Sequence, residues 1–597
     1  MAASLASVYR ENLSALAVQK GQLDAVIGRL AWLRLFTVAS LFLIFYLGFS
    51  NNIWFYLLLP VAGIFLFLVK QHGKKIAARA MVQQLIYLNE QELKALSFDF
   101  SAFEPGERFK DEHHAYSYDL DLFGKGSLFQ YLNRCASPLG EERLASDLLA
   151  EDRQTESIMA RQAAIKELAP ALHWRQQLWA TGKCSPVSKE TIQHLSDWLR
   201  EPNWVTAKIQ FAIMRWGLPV LTLIPLGLSF FNSNLMLLFL LMFIIQWSVL
   251  SLFSKRVGKT MFALSRYRGS LENYAQLFEL FKTQKFNSPL LQHHTQQADN
   301  AFAAVRKFSK LVNNLEARMN PIANAFGNGI FAFDLHAMAA LEKWRDQHGK
   351  HLNQWLTSLA EWDALLSLAH FHYTHPSFCF PEFTNDLKME AKEVGHPLIA
   401  GETRVTNHFP VIEAPAVTII TGANMAGKST WLRAVGVNFV LSQAGAPVCA
   451  AHWRGPVAWL RSGMRTTDSL RDHQSYFYAE LKRLQRITEE LRAGHRMVVL
   501  LDEILKGTNS DDKQAGSREL ILQLIQMQAL VLLATHDVAL GSMAKEFPAA
   551  IQAACFESEI RDGQLFFDYR LRPGVAQTRN ATFLLRKMGI VPGIPAP

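Results

Sequence analysis

Two kinds of hydrophobic patterning divide this chain. In four places apolar residues run on without charge: Leu35 to Phe49, Ile53 to Val69, Trp216 to Phe231 and Leu235 to Phe253. Asn51-Asn52 separates the first two runs and Asn232-Ser233-Asn234 the last two, so they form two pairs. A bilayer core of about 30 Å needs about 20 helical residues, with a working range of roughly 17–25. The runs at 53–69 and 235–253 meet that range. Those at 35–49 and 216–231 reach it with the flanking 30–33 and 209–214, Arg34 and Arg215 extending toward headgroups. Pro219 and Pro225 fall in the third run, and membrane helices tolerate proline. The pattern therefore predicts two transmembrane helical hairpins, at 30–69 and 206–254.

Around the hairpins the pattern is mixed. Residues 1–29 place Leu5, Val8, Leu13, Leu16 and Val18 among polar positions and read as a cytoplasmic surface helix. Residues 70–122 form a juxtamembrane segment. From 255 to 400 the spacing is helical, with Leu271, Tyr274, Leu277, Leu280 and Phe281 recurring on one face. Beyond 401 short apolar runs take over: Ala416 to Ile420, Met497 to Leu501 and Ala529 to Ala534. Runs of that length and composition read as buried strands.

Charge orients the hairpins. Arg29, Arg34, Lys70, Lys74, Lys75 and Arg79 flank the first; Lys208, Arg215, Lys255, Arg256 and Lys259 flank the second; the tight turns carry no charge. The positive-inside rule puts both termini in the cytoplasm. About 30 residues of mixed polarity precede the first run, unlike a cleaved signal peptide. The expected location is the inner (cytoplasmic) membrane, multi-pass, with the C-terminal domain in the cytoplasm. The formal net charge of +9 first suggests nucleic acid, but the flanking basic residues account for most of it by pairing with anionic headgroups. Five scattered cysteines without CxxC spacing support neither a zinc site nor a disulfide framework.

The candidate chemistry lies past residue 415. Thr421-Gly-Ala-Asn-Met-Ala-Gly-Lys-Ser-Thr430 fits G-x-x-x-x-G-K-[ST], between a β-branched run and a helical one. Glycines let successive backbone N–H groups turn toward phosphate oxygens. The loop makes Gly422, Ala423, Asn424, Met425, Ala426, Gly427, Lys428, Ser429 and Thr430 the candidate ATP-binding residues. Lys428 supplies a cation for the β- and γ-phosphates, and the Ser429 hydroxyl a hard ligand for Mg²⁺. Asp502 and Glu503 directly follow the run Met497–Leu501. Asp502 is placed to hold the Mg²⁺ shell and Glu503 to polarise the attacking water. His536 ends the third run, where it can meet the γ-phosphate or that water. ATP and Mg²⁺ are the expected cofactors, and the reaction an ATP hydrolysis.

TGANMAGKSTWLR, LLDEILKGTNSDD and LLATHD resemble the ATPase core of MutS-type proteins, a branch of the ABC-ATPase superfamily. Asn424 and Met425 are the loop residues specific to that branch. Residues 123–149 with Arg161, Gln162 and Ile165, and then Asp363, Ser367 and Gly395-His396-Pro397-Leu398, resemble the family's core or lever region, so the resemblance covers 123–205 and 355–597. It implies an α/β P-loop ATPase domain at 401–597, an all-α core split into 123–205 and 255–400, and a homodimer with composite sites. Asp468 to Phe477 resembles the family's signature segment, Ser475 being the residue that reaches the nucleotide of the other protomer. His473 and Tyr476 stand where the family has Gly and Thr. The family also implies DNA, including mismatched DNA, as a partner, yet the first 120 residues hold nothing like its mismatch-reading domain with a Phe-x-Glu wedge.

Three functions remain open on these grounds. One is a membrane-anchored MutS-like ATPase, an ATP-driven dimeric switch acting on DNA or a DNA-bound partner. Another is the same switch acting on the membrane or an unidentified protein partner without DNA. The third is an ABC-type transporter component, disfavoured because 470–474 reads LRDHQ where a transporter signature would resemble LSGGQ.

Overall fold

A computed structural model describes residues 2–151, 153–184, 189–265, 268–465, 476–506, 508–561 and 564–577. The chain divides into two compact units interleaved along the sequence. One comprises Met1–Leu93, Cys135–Glu141 and Ala171–Asp363; the other comprises Lys94–Arg134, Glu142–Pro170 and Ala364–Pro597.

The first unit is helical. Ala2–Gly48 is one continuous helix of 47 residues, and Leu58–Ala95 is another of 38. The 3₁₀ turn Asn52–Leu57 joins them, opened by Asn51, whose side chain accepts from the Ile53 N–H at 3.1 Å. The expectation of a separate helix over 1–29 is corrected: nothing between 29 and 30 stops the helix. The antiparallel pair continues below the apolar runs, tied by the Arg79–Asp24 ion pair at 2.6 Å and by the Asn12–Asn89 hydrogen bond at 3.3 Å. The juxtamembrane boundary at 70 likewise falls inside a helix.

The second apolar pair forms the helices Ile209–Ser229 and Leu235–Ser251, with both prolines inside the first. Among the described residues, Ser4–Gly48, Asn52–Ala95 and Ile209–Ser229 are long and apolar enough to cross a membrane. Leu235–Ser251 qualifies jointly with its continuation, Ser254–Leu264, across a 61° bend. The rest of the unit is built on long helices, among them Pro289–Glu316 and Phe333–Thr374. Trp344 stacks on Phe308 at 4.2 Å and donates to the Ala304 carbonyl at 2.8 Å, so its indole is buried with its polar atom satisfied. Tyr274, Leu277 and Phe281, read as one helical face, are buried.

The second unit carries the strands β1 Glu382–Thr384, β2 Lys388–Val394, β3 Asn407–Glu413, β4 Ala416–Gly422, β5 His452–Pro456, β6 Trp459–Gly463, β7 Met497–Asp502, β8 Leu530–Thr535, β9 Ile551–Arg561 and β10 Gln564–Pro573. They form a four-stranded sheet, ordered β1-β5-β2-β3, and a six-stranded sheet, ordered β10-β9-β4-β8-β7-β6. Strands β1 and β2 correct the all-helical reading of 255–400. The segment is short and alternates polar with apolar, which suits a sheet with one face covered. The linear division at 123–205 is corrected too. Arg461 of β6 pairs with Glu151 at 2.6 Å, and Arg161 donates to the Ala444 carbonyl at 3.0 Å, so 142–170 belongs with the sheets.

In the larger sheet every pair is parallel except β9–β10. Parallel strands covered on both faces need nearly continuous apolar sequence, and β4, β7 and β8 have it. Alternate residues Val417, Ile419, Val499, Leu501, Val531 and Leu533 pack in one cluster with Ile487, Leu524 and Leu540 from the intervening helices.

Candidate functional site

Parallel pairing brings the distant motifs together. Thr421 of β4 lies opposite Thr535 of β8, and Ala534 lies opposite Asp502 of β7. The ends of these strands therefore share one edge of the sheet, where open α/β sheets bind ligands. The loop after β4, the Asp502-Glu503 pair and His536 converge there although they are spread over more than a hundred residues.

The loop needs its glycines for different reasons. Gly422 has φ +155°, and a Cβ there would stand 2.7 Å from the Phe556 carbonyl oxygen, so the close approach of β9 forbids a side chain. Gly427, at φ +106°, precedes the helix Lys428–Gln443. Met425 takes φ +69° and is 80% exposed. Buried Ala426 donates to Ala423 O at 3.3 Å and closes the loop on itself. The Lys428 ammonium donates to the carbonyls of Gly422 at 2.7 Å and Ala423 at 3.0 Å, which anchor it within the loop. Burial pulls this lysine below its ordinary value of 10.5; the nearby Glu503 and Asp502 carboxylates oppose that shift without cancelling it.

Glu503 is fixed from three sides. It adopts φ +54°, a conformation uncommon for a residue with a Cβ and frequent at functional sites. Its N–H donates to Ala534 O at 2.8 Å. Its Oε1 lies 3.1 Å from His536 Nδ1, and its Oε2 lies 3.9 Å from Lys506 Nζ. Burial pushes its pKa up, but the hydrogen bond and charge of His536, with Lys506 and Lys428, outweigh burial and hold it below the ordinary 4.5. The group is thus a carboxylate at neutral pH. Glu480, on the helix Tyr476–Arg492, accepts from the backbone N–H groups of Leu505 and Lys506 at 2.5 and 3.2 Å, which pins the turn after Glu503.

A cavity of about 520 Å³ opens at this edge, within the range of small-molecule sites. Asn424, Met425, Gly427, Lys428, Ser429 and Thr430 line one side, with Asp502 and Glu503. Gly422, Ala423 and Ala426 shape the loop from behind. His536 stands beside the same carboxylate, with its Nδ1 3.1 Å from Glu503 Oε1. Ser475 lies outside the described residues. Ser429 and Asp502 present hard oxygen donors to the same cavity, which fits Mg²⁺.

The rest of the lining includes His396, from the segment 395–398, and residues that motif reading passed over, among them Val405, Asn407, Phe556 and Tyr569. Tyr569 sits at φ +54° where the β9–β10 register shifts, between Phe567 and Leu571. Asn407 of β3 holds that bulge: its Nδ2 donates to Tyr569 O at 3.0 Å, and its Oδ1 accepts from Leu571 N at 2.7 Å. The result is an aromatic ring facing the loop on a braced backbone. No local signal in FFDYRLRPG marks it, because the ring matters only once β10 reaches the sheet edge.

Comparison with known proteins bears on the same region. The family MutS domain V matches residues 418–592. The DNA mismatch repair protein MutS of Thermotoga neapolitana is 31% identical over 239 residues, 38% of this chain and 28% of that protein. MutS protein homolog 4 of Mus musculus is 28% identical over 228 residues, 36% of this chain and 23% of that protein. The DNA mismatch repair protein MutS of Desulfovibrio desulfuricans is 30% identical over 251 residues, 41% of this chain and 26% of that protein. The chain thus spans less than a third of the length of each of these relatives. The family match and these relatives, both carried by the C-terminal part, show there an α/β ATPase-type domain similar to MutS domain V.

Proposed function

We propose that this chain is a membrane-anchored, Mg²⁺-dependent ATPase whose nucleotide cycle works a homodimeric switch on DNA or a DNA-bound partner. The observation that carries the reading is the convergence of the glycine loop, Lys428, Ser429, Asp502 and Glu503 on one cavity at the edge of a parallel sheet. Lys428 and the loop N–H groups bind the phosphates. Ser429 and Asp502 would hold Mg²⁺, which when bound would supply positive charge to offset that of the transferred phosphoryl group. Glu503 takes a proton from the attacking water while His536 keeps its carboxylate oriented. Tyr569 offers a stacking face for the base. Ser475 would complete the partner's site, as the family resemblance implies. The apolar helices and their basic flanks support anchoring in the cytoplasmic membrane with the ATPase domain in the cytoplasm.

A pH profile reports on Lys428. The ammonium binds phosphate only while protonated, so binding is complete below its pKa and lost as pH rises through it. In the free protein that pKa lies below 10.5, and a bound phosphate raises it again. The alkaline limb of kcat/KM should therefore lie at lower pH than that of kcat. Coincident limbs would remove Lys428 from phosphate binding.

A second reading, a switch on a membrane or protein partner without DNA, is favoured by one observation: the net positive charge is concentrated beside the apolar helices. A salt titration of DNA binding by the full chain separates the two. Phosphate contacts make log K fall linearly with log salt, at a slope of roughly −0.9 per neutralised phosphate. A steep slope supports the DNA reading; no binding at low salt supports the alternative.

A further inference from the structure

The helix Pro321–Phe331 is too short to have been counted as a span, yet it packs against both helices of the second apolar hairpin. From Met319 to Phe333 the chain carries no charge. Its inner face is Asn328 and Gly329; its outer face leaves Ile322, Phe326 and Phe331 exposed, Phe326 at 57%. We propose that this segment is a re-entrant half-span, which enters the bilayer beside the second hairpin, turns near mid-depth and leaves by the side it entered, its outer face against lipid. The proposal rests on the hairpin itself lying in the bilayer.

Three observations give the path. At the foot of the hairpin, where Lys255 and Arg256 begin, Arg318 donates to the Ser254 carbonyl at 3.3 Å, and its long side chain extends from there to Asp334, just past the turn, at 3.0 Å. Further up, the Phe326 ring lies 6.0 Å from that of Phe243, and a Cβ on Gly329 would stand 2.3 Å from the Phe243 ring. Only glycine lets the Phe243 ring lie so close against this backbone. The chain then returns, and His336 reaches the Arg215 carbonyl at 3.0 Å. The helix has 11 residues, so it rises roughly 16 Å at 1.5 Å per residue. Ser251 back to Phe243 rises roughly 12 Å, so both reach toward the middle of a ~30 Å hydrocarbon core.

A turn inside a bilayer is tolerated only where protein satisfies the backbone groups it frees. The turn after Phe331 meets that condition. Gln246, 1% exposed on the hairpin helix, donates to the Asn328 carbonyl at 2.7 Å and accepts from Thr222 Oγ1 at 2.8 Å. The Asn328 side chain accepts from the Asp334 N–H at 2.9 Å. Ala332, at φ +48°, ends the helix with its N–H on the Gly327 carbonyl. A glutamine buried among apolar helices has no aqueous alternative partner, and here both ends of its amide are used. The hairpin helices on which it packs also expose apolar residues (Val220, Ile224, Leu241, Ile244), which argues for acyl chain as the occupant.

The test uses the unmodified full chain in liposomes, with two phospholipid probes carrying a photoactivatable diazirine, one in mid-acyl-chain and one at the headgroup. Adducts are mapped by peptide mass. The inference expects the mid-chain probe to modify both the hairpin peptides and the 319–331 peptide. Mid-chain adducts on the hairpin but none on 319–331 would overturn it while leaving the hairpin reading intact, and so would adducts on 319–331 from the headgroup probe alone. Absence of mid-chain adducts from hairpin and half-span alike would remove both readings. Gln246→Leu supplies a second readout: it should reduce mid-chain adducts on 319–331 relative to those on the hairpin, and an unchanged ratio would contradict the clasp that holds the turn.

Discussion

Glu503→Gln is expected to bind ATP and to lose turnover by roughly 10²- to 10⁴-fold, the usual contribution of a positioned general base. Gln keeps the shape and still accepts from His536, so the turn held by Glu480 survives. What disappears is a carboxylate held below its ordinary pKa by His536, Lys506 and Lys428 against the opposing effect of burial. The variant should also accumulate the ATP-bound form. If the switch is dimeric, sedimentation with ATP should show it as dimer at concentrations where the nucleotide-free chain is monomeric. A wild-type rate of hydrolysis would show that some other group activates the water.

Lys428→Ala attacks the other half of the site. The ammonium is buried, so the protein has already met the cost of desolvating it, and its removal leaves bound phosphate charge without a partner. Losing one member of a buried, hydrogen-bonded charge pair costs about 2–5 kcal/mol, a fall in affinity of roughly 30- to several thousand-fold. The change should appear in equilibrium nucleotide binding, in contrast to Glu503→Gln. Among the described residues the ammonium's hydrogen bonds go to the Gly422 and Ala423 carbonyls of the loop, so thermal stability without nucleotide should change little. An ATP affinity within threefold of wild type would mean that the loop N–H groups alone suffice.

The part of this site that could be read from sequence was the part written locally. A β-branched run, a glycine loop and a helix adjoin in the chain, and Asp502-Glu503 follows its strand directly, so type, spacing and context all sit within a dozen residues. The lining residues Val405, Asn407, Phe556 and Tyr569 could not be read that way. Asn407 of one sheet meets Tyr569 at a bulge in the other, and Glu480 acts on a turn 25 residues away. His536 was legible as a strand-end residue, but whether it meets the ligand or Glu503 depends on rotamers that sequence does not specify. The apolar helices show the same division. Long uncharged runs announce themselves, whereas the continuous helix through residue 29 needed the Asp24–Arg79 pairing to be seen. The Pro321–Phe331 helix, broken by glycine and asparagine and half the length of a span, has no signature apart from its neighbours.

The central claim, an ATPase held in a bilayer, is tested most directly by one measurement. Liposomes carrying the full chain are washed at alkaline pH in carbonate, floated through a density gradient, and assayed for Mg²⁺-dependent ATP hydrolysis in every fraction. The account predicts that turnover rises with the lipid and is absent from the same fractions of the Glu503→Gln protein. Turnover left in the dense, lipid-free fractions, or undiminished in floated Glu503→Gln, would contradict it.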